Sequence, residues 1–110
     1  MANLRQFSAA EALNTEAAGV WDVQDVVEKS DNTSAHYDVS KYHNVVVDCD
    51  ATICVLFDTG ATTTVTDDNN LELPGGVTSI KIPKGLGSTI YFHWRRNGTS
   101  ATVNTRVILT

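Results

Sequence analysis

No acidic residue occurs after Glu72, and no apolar run approaches the roughly 20 residues that a membrane-spanning helix needs. No membrane partner is therefore expected. Clustered Lys and Arg are also lacking: eight bases stand against 13 acids, a net charge of -5, which excludes a counterion-displacing nucleic-acid surface as the main activity. Met1 is the only methionine, so a downstream Cys-His-Met ligand run and cupredoxin-type copper chemistry are excluded. Met1 opens onto Ala2-Asn3-Leu4-Arg5 with no hydrophobic signal core, which leads us to expect a soluble protein made in the cytosol. At 110 residues the chain has the length of about one domain.

What is present is unevenly placed. All 13 acids and three bases lie in residues 1–72, whereas the other five bases (Lys81, Lys84, Arg95, Arg96 and Arg106) follow. Either the fold interleaves the halves and evens the field, or subunits meet through complementary faces. Of 32 Thr, Val and Ile residues, 26 lie at or after Val39, while seven of ten Ala precede Tyr37. This divides the chain into an N-terminal arm over 1–36 and a β domain over 37–110. Ser8 and Glu11 fit a capping box, so a short helix is expected over Ser8 to Ala18, ending at Gly19. Its apolar face, with Ala9, Ala12 and Leu13, is thin, and so short a helix is marginal alone. The arm is expected to be ordered by contact and dispensable for folding, with Val20, Trp21, Val23, Val26 and Val27 packing on the domain edge or on a neighbour.

In the β domain, Asn97-Gly98 carries the signature of a two-residue hairpin turn. Pairing Arg96 with Thr99 would set Trp94 opposite Ala101, Phe92 opposite Val103 and Ile90 opposite Thr105, with one face apolar on both strands. Asn44 to Cys49 and Thr52 to Phe57 are nearly continuously apolar and read as central strands. Thr62 to Thr66 reads as a further strand, and Ile80 and Ile82 as part of one that stops at Pro83. About seven short strands without intervening helices predict an all-β fold, an antiparallel β-sandwich or jelly roll.

Candidate chemistry is sparse. Cys49 and Cys54 could bridge across a four-residue loop, but cytosolic synthesis and apolar neighbours favour two buried thiols. With His36, His43 or His93 they match no zinc spacing, and Asp48-Cys49-Asp50 and Asp67-Asp68-Asn69-Asn70 lack the ordered ligands of a calcium loop. Neither metal nor cofactor is expected. Trp21, Tyr91 and Trp94 could form a sugar-stacking platform, although the hairpin register turns Trp94 inward.

Val55-Leu56-Phe57-Asp58-Thr59-Gly60-Ala61-Thr62-Thr63 resembles the active-site turn of retropepsin-type aspartic proteases. The resemblance implies a dimer in which two Asp58 carboxyls share one proton, with Pro74-Gly75-Gly76 in the place of a flap. It covers about ten residues. The second signature, a hydrophobic strand running into Gly and a helix, is replaced by the strand-like Asn104-Thr105-Arg106-Val107-Ile108-Leu109-Thr110. Asp-Thr-Gly is also ordinary turn chemistry, with Asp accepting backbone N–H bonds and Gly at positive φ.

A broader pattern comprises Tyr42-His43-Asn44-Val45-Val46-Val47, Ile53-Cys54-Val55-Leu56-Phe57-Asp58, Leu71-Glu72-Leu73-Pro74-Gly75-Gly76, Ile80-Lys81-Ile82-Pro83-Lys84-Gly85-Leu86-Gly87 and Ile90-Tyr91-Phe92-His93-Trp94. Over residues 37–110 it resembles small virion structural proteins of tailed bacteriophages. The resemblance implies a non-enzymatic protein made in the bacterial cytoplasm and built into the virion. The role implied is a capsid decoration (cement) protein, with a tail or connector component as the alternative. Its implied partners are the major capsid protein and copies of itself, as a homotrimer. Contact residues expected from the arm and the basic half are Leu4, Phe7, Val20, Trp21, Arg95 and Arg96, each with local packing or solvated charge as its alternative.

Overall fold

The computed structural model describes residues 21–66, 69–98 and 102–110. The helix expected over Ser8 to Ala18 and the contact residues Leu4, Phe7 and Val20 lie outside them. Among the described residues the strands are β1 (Asp22–Val23), β2 (Val27–Lys29), β3 (Ala35–Asp38), β4 (Asn44–Cys49), β5 (Ile53–Asp58), β6 (Leu71–Leu73), β7 (Gly76–Lys81), β8 (Tyr91–Arg96) and β9 (Val103–Leu109). They form two antiparallel sheets packed as a β-sandwich. Sheet I runs β1-β9-β4-β7, with β2 also on β9, and sheet II runs β3-β8-β5-β6. The apolar runs at β4 and β5 take central positions, as expected.

Period-two alternation builds the core. β4 turns Val45, Val47 and Cys49 inward, β5 Ile53 and Val55, β8 Phe92 and Trp94, and β9 Val103, Val107 and Leu109, all into one buried cluster. Phe92 and Trp94 are its largest side chains, and the Phe57 and Phe92 rings pack 5.1 Å apart. Burial of each such residue stabilises the fold by about 1.5–3 kcal/mol. β7 ends as expected before Pro83, and the Ile82 N–H, donating to His43 O at 2.8 Å, is the last bond in register with β4.

The β8–β9 hairpin does not exist. β8 lies between β3 and β5, with Trp94 opposite Val55 and Phe92 opposite Phe57, whereas β9 lies in the other sheet against β1, β2 and β4. Gly98 has φ of +89°, the left-handed backbone read from the sequence, but this corner carries the chain from sheet II to sheet I. The apolar faces of β8 and β9 meet across the interior and not side by side. Alternation is the same in both arrangements, so the pattern could not separate them.

Two further expectations change. Thr62 to Thr66 is an irregular segment with no ladder partner among the described residues, because β6 takes the flank of β5. The boundary near residue 36 also falls inside β3, whose four residues pair with β8, and β1 and β2 pair with β9. β1, β2 and β3 are therefore edge strands of the sandwich, with Val27 packed against the core and Val23 exposed on the edge. The charge halves interleave: basic β8 lies between β3 and β5, and β9 between β4 and the β1/β2 edge, with Arg106 in register with Asp48.

Deleting residues 1–20 should leave strand-type circular dichroism unchanged, because the described strands begin at Asp22. Deleting 1–34 strips β1 and β2 from β9 and should lower Tm by at least about 5 °C. Equal melting of the two truncations would show that these edge strands contribute nothing.

Candidate functional site

Three strand or loop ends share one turn. The Asp31 carboxylate accepts the Thr33 N–H at 3.0 Å and its hydroxyl at 2.6 Å; Asp38 accepts the Ser40 N–H and hydroxyl at the same distances; Asp58 accepts the Gly60 N–H at 3.1 Å. Each is an Asp whose side chain folds back two residues on, which stops a strand without leaving the N–H unsatisfied. Asp58-Thr59-Gly60 is the third instance of the Asp-x-Ser/Thr/Gly pattern. Gly60 lacks a hydroxyl, and Thr63 supplies the missing bond to the carboxylate. Gly60 is not at positive φ, contrary to the sequence expectation; it is needed for space, since a Cβ would sit 2.9 Å from Thr63 Oγ1.

What distinguishes the Asp58 turn is the neighbour above it. On β8 the side chains opposite the core are Tyr91, His93 and Arg95, which would face water on an ordinary sandwich. Instead His93 is fully buried and Arg95 is 7% exposed. The segment from Thr59 to Thr66 crosses this face: Val65 is buried and donates its N–H to Ser34 Oγ at 3.0 Å. Asn69 ties the segment's end by accepting the Thr66 N–H at 2.7 Å and donating to Thr64 O at 3.3 Å. His93 Nε2 lies 2.8 Å from both Asp58 Oδ1 and Gly60 O. Both neighbours are acceptors, so Nε2 carries the hydrogen and donates to the strand end and to the crossing segment together. Burial pushes the Asp58 carboxyl up, but bonds from Thr63, the Gly60 N–H and His93 outweigh it and hold the group below the usual carboxylate range.

This arrangement is a clasp. A shared-proton dyad needs a second carboxyl facing Asp58, and within the chain Asp58 faces His93 instead. A nucleophile triad needs a hydroxyl or thiol on the imidazole, and none is bonded to His93 among the described residues. Beside the clasp, His36 stacks loosely on His93 at 6.0 Å and lines a cleft of about 380 Å³ with Ser34, Thr63 and Thr64. Pro74-Gly75 forms a corner between β6 and β7, not a flap: a Cβ on Gly75 would lie 3.3 Å from the Ala51 backbone.

Apart from Leu86 in the turn after Pro83, the exposed large apolar side chains among the described residues gather on two opposite edges. Val23 and Val26 are 51% and 50% exposed on the β1/β2 edge, and Leu71 and Val77 are 62% and 71% exposed on β6 and β7. β6 covers only Ile53–Val55 of β5. Beyond its end an apolar groove of about 330 Å³ lies between the sheets, lined by Phe57, Leu71, Ile80 and Pro83 with Asn70 and Lys81.

The expected contact residues are scattered. Trp21 is half-buried at the start of β1. Arg95 and Arg96 are corrected from surface contacts to buried residues of β8: Arg96 is 9% exposed and donates from Nε to Asn32 Oδ1 at 3.1 Å. Their alternation brings them under the sandwich's own loops, which is the local-packing alternative. Trp94 is fully buried and Trp21 belongs to the other sheet, so no three-ring platform with Tyr91 forms. Cys49 and Cys54 are buried thiols on strands of different sheets and form no disulfide; Cys49 donates to Pro74 O at 3.5 Å, and burial pushes its thiol up. Asp50 caps the Asn104 N–H at 2.9 Å, as a turn residue does. The clasp and the apolar edge at Leu71 and Val77 were missed, whereas Val23 and Val26 had been expected at the domain edge or on a neighbour. Comparison with protein-family models, curated proteins and solved structures found no match to the chain.

His93→Ala should cost about 2–4 kcal/mol in urea unfolding, because it opens a cavity and leaves the Asp58 carboxylate and Gly60 carbonyl without their buried donor. Asp58→Asn keeps the acceptor for Gly60 and should cost about 1 kcal/mol. Wild-type stability in His93→Ala would refute the clasp. Asp31, Asp38, Asp50 and Asp58 all titrate below their ordinary value because hydrogen bonds favour the charged form. Such depressed carboxylates stabilise the fold above the unfolded pKa of about 4, and that stability is lost as pH falls through the folded values. Tm should therefore drop below about pH 4, less steeply in Asp58→Asn; a flat acid limb would contradict this.

Proposed function

We propose that the chain is a non-enzymatic structural protein of a tailed-phage virion, a capsid decoration protein that associates with copies of itself and with the major capsid protein. The observation that carries the structural part is the placing of exposed apolar side chains on two opposite edges of one sandwich, Val23 and Val26 on one and Leu71 and Val77 on the other. Paired edges of this kind suit lateral association, since each removes apolar surface from water and offers unpaired backbone groups to a neighbour. The virion and head assignment rests on the sequence pattern over residues 37–110. Function is then binding energy alone: a protein that binds the assembled shell and not its disrupted state stabilises the shell. Asp58, committed to His93 and to its own turn, acts as a structural group in this reading.

Light scattering of the isolated protein should give three times the 11.9 kDa chain mass, and the protein should co-sediment with purified heads but not with tails. Sedimentation with tails alone would move the assignment to the tail or connector. Cleavage of an apolar peptide near pH 5, abolished by Asp58→Asn at unchanged stability, would replace it with the protease reading.

A further inference from the structure

We propose that the apolar groove beyond β6 is occupied by residues 1–20 of a second copy, with Leu4 and Phe7 covering Phe57, Leu71 and Ile80. The inference deepens the self-association proposed above and rests on it. Three observations lead to this occupant.

The first is the groove itself. Its floor joins both sheets, Phe57 from β5 and Ile80 from β7, at the place where β6 stops short and Leu56–Asp58, paired with β8 on one flank, have no strand on the other among the described residues. Along its other side β7 is an open edge of six residues, a template for an added strand. An extended segment with large apolar side chains fits both features.

The second is reach and direction. Twenty residues precede Trp21, and fully extended they span about 65–70 Å, more than the 49 Å long axis of the molecule. The described chain begins at β1, on the edge of sheet I opposite β7. To reach its own groove the segment would have to cross the whole face of its own sheet, whereas a neighbour placed side by side presents its β7 edge next to this β1/β2 edge. Such a contact is head-to-tail, and repeated rotation closes it into a ring, the geometry a trimer requires.

The third is charge. Residues 1–20 carry Glu11 and Glu16 against Arg5, and the β1/β2 edge they lead into adds Asp22, Asp25, Glu28 and Asp31 against Lys29, whereas Lys81 stands on the groove rim with Lys84 following and no acid occurs after Glu72. The β1/β2 edge is acidic and the β7 edge carries Lys81, which steers one copy's β1/β2 edge, and with it the segment that leads into it, toward this edge.

The test uses the full chain. Phe7→Cys and Leu71→Cys chains, one carrying a mass tag, are mixed and mildly oxidised; Leu71 is 62% exposed, so its replacement does not disturb the core. A disulfide joining a tagged to an untagged chain is expected, and Phe7→Asp and Leu71→Glu should each weaken self-association at least tenfold in light scattering. An oligomer that persists in both charge variants without the cross-link would overturn this inference and leave self-association standing. So would a disulfide formed only within single chains of a Phe7→Cys/Leu71→Cys double variant, or dissociation by Leu71→Glu but not by Phe7→Asp. A chain that stays monomeric at all concentrations would overturn the self-association as well.

Discussion

Strand β8 has to be buried on both faces, and the rest of the structure follows from how that is done. Phe92 and Trp94 supply the largest side chains of the interior, so β8 must be central in its sheet. A central strand with an apolar inner face would ordinarily show water a polar outer one, and His93 and Arg95 are polar. Yet both are covered. Covering them without partners would cost more than the coverage returns. The solution is a segment that brings its own acceptors: Asp58 at the end of β5 and the Gly60 carbonyl two residues later, both on His93 Nε2. Once Gly60 is held, the chain continues over the sheet, seats Val65 and returns to β6 on the far flank of β5. The short β6, and the groove beyond it, are consequences of that long way round.

How much of this could be read from the residues depends on which question is put to them. Existence of the strands was legible where a continuous apolar run, as in β4 and β5, or alternation, as in β8 and β9, lasted six or seven residues. Partnership was not. Ile90, Phe92 and Trp94 and the apolar positions of β9 present the same period whether they lie side by side or face each other, and the Asn97-Gly98 turn suits either a hairpin or a corner between sheets. β1 and β2, at two and three residues, are too short for any period to register. Their strand character comes from β9, which offers them an edge. Thr62 to Thr66 shows the opposite failure: all five residues are β-branched, but its hydrogen bonds go to the side chains of Ser34 and Asn69, which no local preference reports.

The site divides in the same way. Asp58 as a turn residue was legible because Asp-x-Ser/Thr/Gly is a local pattern, closed within three residues. His93 was not, since its partners lie 35 and 33 positions away and its neighbours Phe92 and Trp94 marked the stretch only as a strand. Arg95 and Arg96 were misplaced for the same reason. A basic pair near a turn reads as surface until the covering segment is known, and that segment comes from a distant part of the chain.

The sheet crossings have a consequence for how the protein comes into being. Among the described strands only β5 and β6 are both consecutive in the chain and paired with each other. Nearly all ladder bonds therefore close long loops before any stabilisation returns, which places the protein among slow folders for its size. β9 is an inner strand of sheet I, flanked by β4 on one side and by β1 and β2 on the other. Until residues 103–109 have been synthesised, β4 and the early strands have no common neighbour and the valine faces of half the interior stand open. Sheet I thus stays incomplete until that strand is available, and in the meantime the nascent chain carries β1 and β2 without a partner and β4 with one flank open, exposed for that interval to the chaperones of the cell that makes it.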